Sequence, residues 1–296
     1  MKAALAELID RLQLPCPPVP LQPGRQRADW TFVLEAQLGG YKARKYLSLI
    51  PWLQAQGCPR VVLQGSRRGN NLAELAARLI AAGLQPALPL SSRPRRGDRL
   101  GNELLLELLQ LPEGSDDGQL VVPEGASCLA SLPGALTLAA SLGQSMLDHS
   151  RQPARIYVDA GTGFTAAALL LGLGQLNFEG DVHIVDMAGT GHQGVENWLT
   201  QMRSSLTWLR AVPRWYLSRP PTARSFGSTN RRVWDEVGRM ASQEGLWIDP
   251  LYSAKLLLTA RENSGSEPSW LILSGGKTEL MAWQPILRID SYTGKL

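Results

Sequence analysis

Cysteine is scarce in this sequence of 296 residues. Only Cys16, Cys58 and Cys128 occur, an odd number without C-x-x-C spacing. That pattern argues against a disulfide framework or a zinc site and fits a reducing compartment. The three histidines, His149, His183 and His192, lack metal-ligand spacing, so no metal is expected. No apolar run approaches the ~18 residues of a membrane span. The opening residues carry Glu7, Asp10 and Arg11 among apolar positions, which reads as an amphipathic helix rather than the unbroken apolar core of a signal peptide. A cytoplasmic protein is expected. Neither sign of charge dominates, with 30 Lys and Arg against 26 Asp and Glu. The net charge is +4, which suits an anionic small ligand and falls short of a nucleic-acid footprint. The densest basic run, Arg93-Pro94-Arg95-Arg96 with Arg99 nearby, reads as a solvated loop.

What the chain does have is enough apolar residue, 44%, to bury the core of one large domain or two ordinary ones. Short apolar runs alternate with longer helical patterns. Strands are predicted over 31–34, 60–64, 85–90, 120–122, 155–159, 181–186, 215–217 and 270–273. Helices are predicted at the N-terminus and over 46–56, 72–82 and 101–111. Further helices are expected from 166, through 208, and over 229–244, and 15–29 reads as a surface connection. Strands alternating with helices imply an α/β architecture with parallel sheets.

Two features carry chemistry. Gly161-Thr162-Gly163-Phe164-Thr165 lies between a predicted strand and a predicted helix. Small residues there let backbone N–H groups approach an anion, and the helix terminus adds favourable partial charge. Far upstream, Lys42 sits in Gly39-Gly40-Tyr41-Lys42-Ala43-Arg44-Lys45. Alone it reads as a solvated lysine. Arg44 and Lys45 are expected to depress its pKa by like-charge repulsion, favouring the neutral amine that attacks an aldehyde. A Schiff-base lysine and a separate phosphate cradle are the two requirements of a pyridoxal 5'-phosphate site. Gly65-Ser66-Arg67-Arg68-Gly69-Asn70-Asn71 reads either as a turn with an asparagine N-cap or as an anion site suited to a carboxylate. A rival reading remains open. Gly161-x-Gly163-x-x-Ala166 with Asp186 after the next strand fits a dinucleotide or adenosyl-methionine fingerprint. Gly189-Thr190-Gly191-His192-Gln193-Gly194 repeats the pattern without the following acid and reads as a loop. Tryptophans such as Trp198 and Trp208 read as core or interface.

Taken in order, these segments resemble the pyridoxal-phosphate-dependent family of 1-aminocyclopropane-1-carboxylate (ACC) deaminase and D-cysteine desulfhydrase. The resemblance runs from about Leu38 to Gly276. Residues 39–45 resemble the family's G-G-N-K-x-R-K, Gly69-Asn70-Asn71 its S-N-[QH], and residues 161–165 its G-S-G-G-T. Residues 244–255, E-G-L-W-I-D-P-L-Y-S-A-K, resemble E-G-x-x-x-D-P-V-Y-x-G-K, the most specific match. Ser274-Gly275-Gly276 resembles the closing H-[TL]-G-G.

The resemblance implies α/β fold type II, tryptophan-synthase-β-like, with two three-layer αβα domains of mostly parallel sheet. A large domain of 1–54 and 146–296 and an inserted one of 55–145 are expected. It implies Lys42 as the Schiff-base lysine and catalytic base, with Tyr252 assisting proton transfer. Asn70, Gly161, Thr162, Gly163, Phe164, Thr165, Tyr252, Ser253 and Ser274 would hold the cofactor. Gly69, Asn70, Asn71 and Phe226 would meet a small amino-acid substrate. Ser253 and Ser274 stand where ring-opening deaminases have Glu and Leu, and so resemble the desulfhydrase branch. A serine offers the pyridine nitrogen only a neutral hydrogen bond, which suits β-elimination. The sequence departs from the pattern at Tyr41, Gly69, Phe164, Phe226 and Leu273, which stand for Asn, Ser, Gly, Tyr and His. The expected function is a homodimeric lyase or deaminase, most like D-cysteine desulfhydrase. The alternatives are an ACC-deaminase-like enzyme or a cofactor-binding relative with altered catalysis.

Overall fold

A computed structural model describes residues 1–35, 40–67, 69–89, 101–114, 119–149, 152–209, 211–263, 265–274 and 280. The basic run at 93–99, Arg68, Gly39 and Gly275-Gly276 lie outside the described residues, as does the side chain of Asn70. The elements alternate as expected. They are α1 (Lys2–Leu12), β1 (Leu21–Pro23), β2 (Trp30–Val33), α2 (Tyr46–Ala55), β3 (Arg60–Leu63), α3 (Asn70–Ala81), β4 (Gln85–Pro89), α4 (Asn102–Leu108), β5 (Glu113–Gly114), β6 (Leu120–Val122), α5 (Leu132–Asp148), β7 (Arg155–Ala160), α6 (Phe164–Gln175), β8 (Asp181–Asp186), α7 (Gly191–Ser205), β9 (Trp215–Ser218), α8 (Arg231–Arg239), α9 (Ser253–Asn263) and β10 (Ser269–Ile272).

Two sheets result. The larger has the order β1-β2-β10-β7-β8-β9 and the smaller β5-β4-β3-β6. Every pairing is parallel except β1 with β2. Strands buried on both faces read as continuous apolar runs, as in Ile156-Tyr157-Val158. Successive side chains point to opposite faces. Ile156, Val158 and Ala160 accordingly join one core with α1, α5 and α6, while Tyr157 joins a second core with α8 and α9. A third core gathers α2, α3 and α4 on the smaller sheet.

Helices α5 and α6 cross closely. A Cβ on Gly172 would collide with that of Ala139. The fully buried Leu169, Leu170 and Leu171 of α6 each contribute roughly 1.5–3 kcal/mol of burial.

Some elements differ from expectation. The 15–29 connection contains β1, an edge strand too short to show a period. Helix α4 is shorter than the predicted 101–111. The predicted helix over 229–244 is α8 followed by a π turn at Met240–Glu244, closed by Gly245 at φ 71°. That turn aims the buried Glu244 carboxylate at the N–H groups of Arg25 (2.7 Å) and Gln26 (3.1 Å).

Candidate active site

The C-terminal ends of parallel strands from both sheets open onto one cavity of about 440 Å³, the place where ligands bind in open α/β sheets. From the larger sheet, β7 runs into Gly161 and Thr162, β8 into Ala188 and Thr190, and β10 into Ser274. From the smaller sheet, β3 runs into Gln64, Gly65 and Ser66, and β6 into Glu124 and Gly125. All of these line the cavity.

Lys42 enters from a 3-10 turn, Gly40–Lys45, that precedes α2. Helix α5 presses on this turn through Gly134, where a Cβ would lie 2.9 Å from Lys45 O and closer still to Arg44 O. Arg44 points away from the cavity. It pairs with Glu35 and donates to Ser141 Oγ (2.9 Å) and Pro17 O (2.9 Å). Lys45 donates to Gly125 O (2.8 Å), and its ammonium lies 4.6 Å from the Phe164 ring centroid. Lys42 Nζ stands 4.5 Å from the centroid of Tyr252 and meets no hydrogen-bond partner among the described residues.

The expected depression of Lys42 is overturned. Burial pulls its pKa down, but Tyr252, Asp159, Asp249 and Glu124 outweigh burial and raise it. The depressed amine is Lys45, by burial and by repulsion from Lys42. The reason is direction: Arg44 spends its charge on Glu35, while acidic groups surround Lys42.

The glycine turn, the candidate anion cradle, leads into α6. Gly163, at φ 79°, is the N-cap of α6 and supplies no side chain to its first-turn N–H groups. A Cβ on Gly163 would meet Thr190 Cγ2 at 3.0 Å. Thr162 is held by Ser127 Oγ (2.7 Å) and by Trp198 Nε1, which donates to its carbonyl (2.9 Å). Thr190 Oγ1 donates to Gly161 O. Thr165 is buried in the first turn of α6. Phe164 is fully buried behind the cradle, edge-on to Trp198.

Asp186, the acid of the rival dinucleotide reading, is consumed locally. Its carboxylate accepts from the N–H groups of Gly189 (2.8 Å), Thr190 (3.0 Å) and Gly191 (3.0 Å). The second glycine segment is therefore this capped turn and the start of α7, not simply a loop.

The 244–255 segment divides its labour. Asp249 caps α9, accepting from the N–H groups of Leu251 (3.0 Å), Tyr252 (2.7 Å) and Ser253 (3.1 Å) and from Ser253 Oγ (2.6 Å). Ser274 Oγ lies 3.4 Å from Ser253 Oγ and from Asp249 Oδ2. Lys255 donates to Ser225 O (3.4 Å), supporting the loop that carries Phe226. Phe226 is 51% exposed at the cavity mouth, its ring 6.1 Å from that of Tyr252. Gly69 and Asn71 line the opposite wall, and Asn71 Oδ1 accepts from Tyr46 OH (2.9 Å). Asn70 opens α3.

The cavity thus gathers Lys42, Gly161, Thr162, Tyr252, Ser274, Gly69, Asn71 and Phe226. Gly163, Phe164, Thr165 and Ser253 stand behind its wall. Lys45, Thr190 and Glu124 also line it and were not expected. Lys45 fell inside the motif but was read only as a source of field.

The geometry is that of a known fold. No protein-family model and no curated protein matches the chain. Among solved structures it is similar to an ACC deaminase homologue at 20% identity, covering 98% of this chain and 99% of that one, with a TM-score of 0.79. It is similar to a threonine deaminase of T.th. at 14% identity, 93% and 97% coverage and TM-score 0.63. Diaminopropionate ammonia lyase from Escherichia coli, solved in complex with an aminoacrylate-PLP azomethine reaction intermediate, is similar at 15% identity, 99% and 92% coverage and TM-score 0.61. These likenesses define the fold as mixed α/β, mostly parallel, fold type II. Among the described residues no helix is long and apolar enough to cross a membrane.

Proposed function

We propose that this protein is a pyridoxal-phosphate-dependent lyase or deaminase acting on a small amino acid, with the cofactor joined to Lys42. One observation carries the reading. An amine with no hydrogen-bond partner among the described residues, over an aromatic face, opens into the same cavity as Gly161 and Thr162, the turn that leads into an uncapped helix terminus about 120 residues further along the chain. The residues fit the cofactor. The first N–H groups of α6, with Thr162 and Thr165, would hold its phosphate. Lys45 adds a donor nearby, and Tyr252 offers a ring to pack against. The similar solved structures of an ACC deaminase homologue, a threonine deaminase and an ammonia lyase support the same class.

When bound, the cofactor supplies the electron sink that lets an amino acid lose its α-proton. The chain's own residues do the rest. Lys42 Nζ takes that proton, and Tyr252 is near enough to assist. Tyr46 engages the carbonyl end of the Asn71 amide, so its nitrogen is the end that can serve a substrate carboxylate. Ser253 commits its proton to Asp249 and Ser274 is a neutral hydroxyl, so neither holds a ring nitrogen as a carboxylate would. Hydroxyls at these two positions would leave the cofactor a weaker electron sink than a carboxylate would, which suits a reaction whose β-substituent departs early. This supports D-cysteine-desulfhydrase-like β-elimination over ring opening. Phe226, where the resemblance implies a tyrosine, and Gly69, in place of a serine, reshape the substrate side. The proposal includes a cytoplasmic homodimer and a division into 1–54 with 146–296 and an inserted 55–145.

Purified protein supplied with pyridoxal phosphate is expected to show a Schiff-base absorbance band that Lys42→Ala loses. It is also expected to release 2-oxo acid and ammonia from at least one member of a panel of small D- and L-amino acids. A band without turnover would favour a binding relative that has lost catalysis. No band at all would remove the proposal.

A further inference from the structure

Asp159 is the penultimate residue of β7, two positions before the cradle, and is 1% exposed. A buried carboxylate needs a partner for each oxygen or a nearby cation. Asp159 has half of this. Its Oδ2 accepts from Tyr41 OH at 2.8 Å, and the same hydroxyl lies 3.2 Å from the Asp159 carbonyl. Its Oδ1 has no hydrogen-bond partner among the described residues. Tyr41 is itself buried and directly precedes Lys42 in the 3-10 turn. The bond therefore ties the lysine's own segment to the strand that carries the cradle.

The other groups facing Lys42 are less able to act as its counter-charge. Asp249 is saturated by three N–H groups and the Ser253 hydroxyl. Glu124 is exposed, so solvent screens it. Burial pushes the Tyr252 phenol above its ordinary value, so through the neutral range it offers Lys42 a ring face and no charge. Lys45 is a like-charged neighbour whose own pKa is lowered by burial and by Lys42, so it offers no counter-charge. That leaves a buried carboxylate with one uncommitted oxygen. Lys42, Tyr41, Asp249 and Ser274 are the groups that act on Asp159.

We infer that Asp159, clamped by Tyr41, is a positioning residue and the principal fixed counter-charge of the Lys42 nitrogen. It raises that nitrogen's affinity for a proton, whether in a free amine or in an imine to an aldehyde. The two residues act together. The phenol at 41 leaves the carboxylate an acceptor for the lysine's charge while anchoring its position. Burial carries the Asp159 carboxyl up to about 6, so the counter-charge is present above that pH and fades below it.

This inference rests on the proposed function for its relevance to catalysis, but its test does not need the cofactor. In the cofactor-free protein, the pH dependence of Lys42 acetylation by trace acetic anhydride, read by mass spectrometry of the Lys42 peptide, reports the midpoint of its amine. Asp159→Asn, with unchanged circular dichroism, is expected to move that midpoint to lower pH and raise labelling at pH 8.5 several-fold. Tyr41→Phe weakens the carboxylate's stabilisation and is expected to move the midpoint the same way, by less. It serves if Asp159→Asn does not fold. A folded Asp159→Asn with an unmoved Lys42 midpoint overturns the inference, as does an unmoved midpoint in Tyr41→Phe if that is the only variant that folds. If the midpoint moves but the protein takes up no pyridoxal phosphate, the inference stands and the proposed function falls.

Discussion

Replacing Gly134 by alanine isolates how tightly the lysine turn is packed. Gly134 lies in the first turn of α5, and its N–H donates to Ser48 Oγ at 3.0 Å. An added Cβ would lie 2.9 Å from Lys45 O and nearer still to Arg44 O. Both are backbone atoms of the turn that presents Lys42, so no rotamer change relieves the clash. Overpacking of this kind costs about 3 kcal/mol, the upper end of its usual range. Helix propensity returns about 1 kcal/mol for Gly→Ala. The net loss is about 2 kcal/mol, or roughly 3 °C in Tm at about 2.1 cal/mol/K of unfolding entropy per residue. Gly238→Ala in α8 is the control, because nothing lies within 4 Å of its added Cβ. It is expected to gain about 0.5–1 kcal/mol. The assay is thermal and urea denaturation of both variants, with pyridoxal-phosphate uptake measured alongside. Gly134→Ala should also lose uptake, because relief of the clash moves the lysine turn. A Gly134→Ala protein as stable as the Gly238→Ala control would refute the packing argument.

Three further outcomes follow from the same geometry. Asp159 has a folded pKa of about 6 against an ordinary 3.8, so between those values the folded state holds more protons than the unfolded. As pH rises through that window, stability should fall by up to about 3 kcal/mol, and the fall should be missing from Asp159→Asn in urea titrations at each pH. Arg44→Ala should cost about 3–5 kcal/mol in the same assay, because it strands the buried Glu35, and adding Glu35→Gln should recover part of that loss. Asp249→Ala removes the acceptor of three N–H groups and a hydroxyl at the start of α9. It should cost at least about 3 kcal/mol and loosen Tyr252, seen as faster amide exchange over 251–254.

Much of the fold was legible because its signals are local. The continuous apolar runs of β7 and β8 and the glycine turns after them specify buried parallel strands leading into helices. Helix α5 carried no such signal. Leu132–Asp148 is built of Ala, Gly, Ser and Leu buried on nearly every side, so it lacks the polar stripe that marks an amphipathic helix. No element is predicted over these residues, yet its small side chains are what lets it pack against both α6 and the lysine turn. In the site, Lys42, the cradle and Tyr252 were readable because each sits in a spaced motif. The Tyr41–Asp159 pair was not, since its members lie 118 residues apart and meet only where the packed lysine turn comes beside β7. The reversed fates of Lys42 and Lys45 were equally hidden. Sequence gives the adjacency of three cations but not the side on which Arg44 finds Glu35.

If the Lys42 amine carries the cofactor, that bond can be trapped. Reduction of the pyridoxal-phosphate-treated protein with borohydride, followed by peptide mass spectrometry, tests it directly. One phosphopyridoxyl adduct is expected, on the peptide containing Lys42, and it should be lost in Lys42→Ala. An adduct confined to Lys45 or another lysine, or no adduct at all, would contradict that attachment.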